Sequence, residues 1–316
     1  MNIQLVRATV GDAESLVDIQ RKAFKRLYDI YRDEGSPYLR GTEEFHRWLN
    51  NPDISIYKIY ADGKLCGGIA VCRKTNGMYY LYRVYILPEM QNRGIASKAI
   101  EICESLHKDA KKWIVDFPVD QPVNKRCYEK AGYVDTGMRF DINDKLTLAL
   151  YEKVIDGISV IREMQIEQCA RMIRRSFAPI AEEFGLTEQN CPSHPAFMKT
   201  EVLREKYENG TIMYGYFSGG EIIGFAALGR SREEDAFEIS NLCVLPEFRH
   251  RGYGRELLDF CRNKVKELGG SRINIAIIEE NTRLKKWYAD YGFIHTGTKK
   301  FKHFPFTVGF MELVLA

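Results

Sequence analysis

The residues most able to do chemistry in this 316-residue chain lie between Glu238 and Leu258, in the stretch EISNLCVLPEFRHRGYGRELL. Apolar Ile239, Leu242 and Val244 mark a strand, and Pro246-Glu247 break it. Arg249-His250-Arg251-Gly252-Tyr253-Gly254 then turns straight into a helix carrying Leu257, Leu258, Cys261, Val265 and Leu268. Glycine at the mouth of a helix lets the backbone approach a ligand closely. The first-turn N–H groups have no intrahelical acceptor and the helix dipole adds positive potential, so the spacing predicts a cradle for phosphate. A Walker loop would close on Gly-Lys-Ser/Thr, which the sequence lacks, and a dinucleotide fingerprint would need Gly or Ala where Leu257 stands.

A second cradle lies earlier. Gln91-x-x-Gly94-x-Ala96 answers Arg249-x-x-Gly252-x-Gly254 at a distance of 158 positions (252 − 94). Tyr128-Glu-Lys-Ala-Gly132-Tyr133 answers Tyr288-Ala-Asp-Tyr-Gly292-Phe293 at 160 positions (288 − 128). A period of that length is a whole domain, too long for a solenoid repeat. The flanking elements repeat in the same order. In the first half the patterns predict a strand over Asn2–Ala8, a helix through Leu16, Ile19, Ala23 and Leu27, and a loop over Asp29–Gly41. A short helix near Glu43–Leu49, a hairpin turning at Asp62-Gly63 and a strand over Met78–Leu87 lead to the first cradle. Its helix, a strand over Trp113–Phe117, a helix over Val123–Ala131 and two closing strands follow. The second half predicts a helix over Glu167–Phe177, an irregular stretch from Pro179 to Pro195, a helix over Phe197–Tyr207 and a hairpin at Gly219-Gly220. The second cradle, a strand over Arg272–Ile278, a helix over Thr282–Tyr291 and two last strands complete it. The expected domains are 1–154 and 157–316, joined by a polar link near Glu152–Gly157.

Composition narrows the function classes. With 45% hydrophobic residues the chain can build two cores, and a net charge of +3 implies no general affinity for nucleic acid or membrane. The eight cysteines form no C-x-x-C pair, and several (Cys72, Cys103, Cys243, Cys261) fall at apolar positions. They fit core packing in a reducing compartment rather than a disulfide framework or a Cys–His nucleophile. The six histidines show no metal-ligand spacing, so no metal is expected. No leader pattern or membrane-length apolar run is present, and a cytoplasmic protein is expected.

The strand, the Arg249-x-x-Gly252-x-Gly254 turn and its helix resemble the acyl-CoA pyrophosphate loop of the GNAT superfamily of N-acetyltransferases. Asn281-x-x-Leu284-x-x-x-Tyr288-x-x-x-Gly292-Phe293 is similar to the family's Asn-x-x-Ala-x-x-x-Tyr-x-x-x-Gly-Phe, with Leu284 in place of Ala. The resemblance covers nearly the whole chain as two tandem copies. It implies an α/β (α+β) fold class, each copy a mixed, mostly antiparallel sheet flanked by helices. It also implies acetyl-CoA as acyl donor and a small-molecule or peptide amine as acceptor.

The resemblance also implies roles. Acyl transfer to an amine needs a base, because an alkylammonium with a pKa of about 10.4 carries no free lone pair at neutral pH. It needs a donor for the oxyanion and a proton for the departing thiolate. Glu238 matches the place of the general base in histone acetyltransferases of the superfamily, with Glu182 and Glu183 as competing bases. Tyr288 carries over as the acid, and Asn281 as a cofactor-side contact. Leu242, Cys243 and Val244 would pair with the pantetheine amides, and Arg249, His250, Arg251, Gly252, Tyr253, Gly254 and Arg255 would take the diphosphate. The N-terminal counterparts are Val84, Tyr85 and Ile86 on the strand, Gln91, Asn92, Arg93, Gly94, Ile95 and Ala96 in the loop, and Tyr128. The position matching Glu238 is Tyr80, which is no base at neutral pH, and Asn281 is matched by Gln121 before Pro122. The expected division of labour is therefore a cofactor-binding N-terminal copy and a catalytic C-terminal one. A non-catalytic acyl-CoA sensor, or catalysis by the N-terminal copy, are the alternatives. No nucleic-acid or membrane partner is expected, and the expected state is a monomer or weak homodimer.

Overall fold

The computed structural model describes residues 1–231 and 235–315. It divides into two compact units, Met1–Ile155 and Asp156–Ala316. In the first, β1 (Ile3–Arg7), α1 (Ala13–Tyr31), α2 (Thr42–Leu49), β2 (Ile54–Ala61), β3 (Lys64–Arg73) and β4 (Met78–Ile86) precede the loop. After it come α3 (Ile95–Leu106), β5 (Lys112–Pro118), α4 (Pro122–Lys130), β6 (Val134–Asn143) and β7 (Leu146–Val154). The second unit runs β8 (Gly157–Val160), α5 (Ile166–Glu183), α6 (Thr200–Glu208), β9 (Ile212–Ser218), β10 (Glu221–Arg230), β11 (Ala236–Val244), α7 (Tyr253–Glu267), β12 (Arg272–Ile278), α8 (Thr282–Tyr291), β13 (Ile294–Lys300) and β14 (Thr307–Val314). The two seven-stranded sheets share one topology, β1-β2-β3-β4-β5-β7-β6 and β8-β9-β10-β11-β12-β14-β13. Each is antiparallel except at its centre, where β4 runs parallel to β5 and β11 to β12.

Alternation sorts the strand side chains onto two faces. In the first unit Tyr79, Leu81, Trp113, Val115 and Phe117 bury against α3, while Ile54, Ile56 and Cys72 bury against α1 and α2. In the second, Phe237, Ile239, Ile273, Ile275 and Ile277 bury with Leu257, Leu258 and Cys261 of α7. Corresponding core positions exchange bulk. A Cβ added at Gly68 would lie 2.3 Å from Tyr85 Oη, so the bare glycine makes room for that ring. The matched cross-strand pair in the second unit is Phe225 against Cys243, both buried, with the large residue now on the neighbouring strand.

Three expectations are corrected. Helix α1 continues to Tyr31, into the stretch read as loop. Helix α5 passes through Pro179 and ends at Glu183, so the irregular segment is shorter than Pro179–Pro195. Glu152 is not part of a polar link: it is buried within β7 and paired with Lys112 at 2.8 Å. All eight cysteines are unpaired, and seven are buried. Among the described residues no helix is long and apolar enough to cross a membrane.

Between α5 and α6, burial holds the His194 imidazole near a pKa of about 4. Its Nδ1 accepts the Ala196 N–H at 3.3 Å, and the ring meets Phe177 edge-on at 5.8 Å. Both contacts suit the neutral ring. Because the folded value lies below the usual 6.5, this contribution is present above about pH 6.5 and is lost as pH falls towards 4. The loss amounts to about 3 kcal/mol at most. Thermal melts from pH 7 to 4 should show an acid decline that His194→Gln flattens.

Candidate active site

The parallel pairing at the centre of each sheet is short. β11 and β12 pair only over Ala236↔Arg272, Phe237↔Ile273 and Glu238↔Asn274. β4 and β5 pair only over Met78↔Lys112, Tyr79↔Trp113 and Tyr80↔Ile114. Past these points no ladder pairing joins the two strands among the described residues, and the facing edges of β11 and β4 are open to an extended polyamide ligand. A bulge lies at the parting in both units. The register of β11 on β10 shifts between Cys243↔Phe225 and Ser240↔Ala227, with Asn241 left-handed at φ 55°. The register of β4 on β3 shifts between Arg83↔Ala70 and Leu81↔Val71. The bulge changes which face the following residues take, so Val244 joins the α7 core although Ile239 already lies on that face.

Each parted strand leads to an anion cradle. In the second unit His250 and Gly252 are left-handed, at φ 62° and 92°; in the first, Asn92 and Gly94 repeat this at 59° and 77°. Alternating handedness turns successive N–H groups towards one point, forming a nest at the helix start. Gly252 is required by its φ, whereas a Cβ at Gly254 would meet Val244 Cγ2 at 3.7 Å and Trp287 Cζ2 at 3.9 Å, ordinary contacts. Ala96 therefore fits the corresponding place. Arg251 and Arg255 lie beside the second cradle, their guanidinium groups 5.6 Å and 5.4 Å from the Phe248 and Tyr291 ring centroids. These features fit the diphosphate of a coenzyme A thioester.

The first residue of each loop has its side chain turned inward. Gln91 Nε2 donates to Ile86 O at 2.9 Å, and Arg249 Nε donates to the matching carbonyl, Val244 O, at 3.1 Å. Arg249 also donates to Ser176 O in α5. Pro179 has no N–H for Arg175 O and opens that turn, and the guanidinium serves the adjacent carbonyl. Arg249 thus braces the loop on α5, a role the glycine motif gave no sign of. Arg249→Gln should keep the bond that Gln91 makes and lose the tie to α5. Urea unfolding should register a loss of about 1.5–3 kcal/mol.

Glu238 is exposed at the root of the split, on the face opposite Phe237 and Ile239. Tyr288 is buried on the α7 face, edge-on to Trp287 at 4.9 Å and Phe293 at 5.3 Å. The two groups approach the split from opposite faces of the sheet. Burial, more than the nearby Cys243 and Cys261 thiols, raises the Tyr288 pKa well above 10, so the phenol keeps its proton. Asn281 caps α8, its Oδ1 accepting the Leu284 N–H at 3.1 Å. The side chains of Cys243 and Tyr85 are buried, leaving the main chain of those strands as the part able to meet a ligand. Glu183, one of the competing bases, is bound by Arg283 at 2.6 Å, and Glu182 is exposed on the last turn of α5. Beyond them Ala181, Leu186, Cys191 and Ile278 form an apolar cluster with Phe184, Phe197, Phe304 and Phe306.

In the N-terminal unit Tyr128 occupies the place of Tyr288, buried and stacked on Phe117 at 5.0 Å. Gln121 does not cap its helix; its Nε2 donates to Tyr31 Oη at 2.6 Å. Tyr80, at the register position of Glu238, donates its phenol to Asp116 Oδ1 at 2.6 Å. Sequence reading missed Asp116 because the bond joins residues 36 positions apart on two strands.

The family model described as "Acetyltransferase (GNAT) family" matches twice, over residues 18–133 and 178–293. An amino-acid acetyltransferase of Pseudomonas putida is 28% identical over 145 residues, 46% of this chain but only 30% of the relative. A protein named as an uncharacterized N-acetyltransferase in the pepI 3′ region of Lactobacillus delbrueckii subsp. lactis is 25% identical over 150 residues, 43% of this chain and 84% of the relative. Among solved structures, spermidine N-acetyltransferase from Vibrio cholerae, in complex with CoA and spermine, aligns with a TM-score of 0.41 and 16% identity, covering 48% of this chain and 95% of that one. The chain spans under a third of the Pseudomonas relative's length. With a match in each half, placed over each split sheet and its cradle, the chain belongs to the GNAT family of acetyltransferases.

Proposed function

We propose that the C-terminal unit transfers the acetyl group of acetyl-CoA to a primary amine, and that both loops bind the coenzyme A thioester. The observation that carries this reading is the split between β11 and β12, which ends at a nest of amides and has a carboxylate on one face and a protonated phenol on the other. The thioester supplies the activated acyl group. Glu238 takes the amine proton, directly or through water, and main-chain N–H groups near the Asn241 bulge hold the developing oxyanion. Tyr288 gives its proton to the leaving sulfur. The diphosphate is held by amides of Arg251–Gly254 with Arg251 and Arg255 beside it, while Arg249 supports the loop from behind. The acceptor enters between the end of α5 and the β13–β14 hairpin, where Phe304 and Phe306 stack at 5.1 Å. That wall suits an amine with an apolar part, and Glu182 is the exposed carboxylate near it.

The test is thiol release from acetyl-CoA with a panel of polyamines, aminoglycosides, amino acids and peptide N-termini. Saturable, amine-dependent release is expected from at least one class. Release that no amine accelerates, with acetyl-CoA still bound, would instead make the protein a thioester-binding module.

A further inference from the structure

Both units place one carboxylate at the root of the split, but from opposite strands. In the second unit it is Glu238 on β11, and the β12 residue two beyond its partner Asn274 is Ala276. In the first unit the β4 position holds Tyr80, and the β5 residue two beyond its partner Ile114 is Asp116. Asp116 alternates with Val115 and Phe117, which bury against α3, so its side chain lies on the α1 face with Tyr80. The Tyr80 phenol reaches across and donates to Asp116 Oδ1 at 2.6 Å.

We propose that the N-terminal unit is a second amine-acetylating centre, with Asp116 as its general base and Tyr80 as the positioning residue that orients the carboxylate. This rests on the reading that the Gln91–Ala96 loop binds acetyl-CoA, and it reverses the expectation, drawn from Tyr80 alone, that this unit has no base. Burial and the adjacent Asp116 raise the Tyr80 pKa, so the phenol is a fixed donor to one oxygen and leaves the other for the amine. Arg83, on the same strand as Tyr80, is engaged elsewhere: it donates to Glu44 Oε2 at 2.5 Å and to Gln20 Oε1 at 3.1 Å, with its guanidinium over Trp48. In the step, the neutral amine nitrogen bonds to the thioester carbonyl carbon and the C–S bond breaks. Asp116 takes the N–H proton, and the sulfur leaves as thiol with the proton of Tyr128, whose own pKa burial raises. Exchange with solvent resets both groups.

The acceptor differs from that of the other unit. Tyr31 Oη donates to Asp120 and accepts from Gln121, and Tyr31 O accepts from Asn143 Nδ2 at 3.2 Å. These bonds tie the end of α1 to the segment after β5 and to β6, where the C-terminal unit has its apolar cluster. A small polar primary amine fits this entrance.

The test uses the full chain with its C-terminal centre silenced by Glu238→Gln and Tyr288→Phe. Calorimetry with acetyl-CoA should still report two equivalents, and ethanolamine, glycine or a short diamine should still drive thiol release. Adding Asp116→Asn should lower that release on the order of 10²-fold with two equivalents still bound, and Tyr80→Phe should lower it about 10-fold. Two equivalents bound with no amine-driven release, or release indifferent to Asp116→Asn, would overturn the proposal while leaving thioester binding intact. A wild-type chain that binds a single equivalent, unaffected by Gly94→Val, would overturn it at the underlying reading. If the C-terminal unit does not catalyse at all, the silencing pair will leave wild-type rates untouched and Asp116→Asn alone will lower them on the order of 10²-fold.

Discussion

Glu238→Gln and Tyr288→Phe should each lower turnover at the C-terminal centre on the order of 10²- to 10⁴-fold, with acetyl-CoA affinity nearly unchanged. In the proposed mechanism the carboxylate acts only when an amine is losing its proton, and the phenol only when the sulfur is leaving. On that proposal neither helps to hold the thioester, which would rest on main-chain groups along β11 and in the loop after it. Glutamine keeps the size and hydrogen-bonding ability of Glu238 at its exposed site and removes only basicity. Phenylalanine keeps the Tyr288 ring against Trp287 and Phe293 and removes only the hydroxyl that carries the proton. Initial rates against amine concentration, with parallel calorimetry, separate these effects. A fall in affinity equal to the fall in rate would move both residues from chemistry to binding.

Trp113→Ala should cost about 3–5 kcal/mol of folding stability, the largest effect expected from any core substitution in the first unit. Trp113 is almost wholly buried on β5, packed on Tyr79 at 5.0 Å and on His107 at 5.7 Å. It lies in the last three rungs of parallel pairing before the split. Removing it leaves a cavity where β4 and β5 must be held together so that they can part beyond. Urea unfolding followed by far-UV circular dichroism measures the loss. A cost under 1 kcal/mol would mean that the neighbouring rings collapse into the space.

Much of this architecture was legible because its determinants are local. The two loops announce themselves by glycines at left-handed positions and by the strands and helices on either side. The domain-length period then follows from two motifs recurring at nearly the same shift. The errors came where distant contacts overrule local preference. Pro179 reads as a helix end, yet α5 continues because packing holds the helix together and Arg249, 73 residues away, serves the carbonyl of Ser176. Tyr80 is read as no base, and the fold adds a contact that the sequence does not show, its phenol donating to Asp116 on the neighbouring strand. Asn281 is read as a cofactor-side contact from the motif, and the fold adds that its Oδ1 caps α8. Glu182 and Glu183 look equivalent in sequence, and only the fold brings Arg283 to one of them.

Two glycine-rich turns, one in each unit, are proposed to present main-chain nitrogens to the diphosphate of a coenzyme A thioester. Isothermal titration of the whole chain with acetyl-CoA tests it most directly. Two equivalents should bind, with Gly94→Val and Gly252→Val each removing one, because neither left-handed position accommodates a β-branched residue. Titrations showing no binding, or binding indifferent to both substitutions, would contradict it.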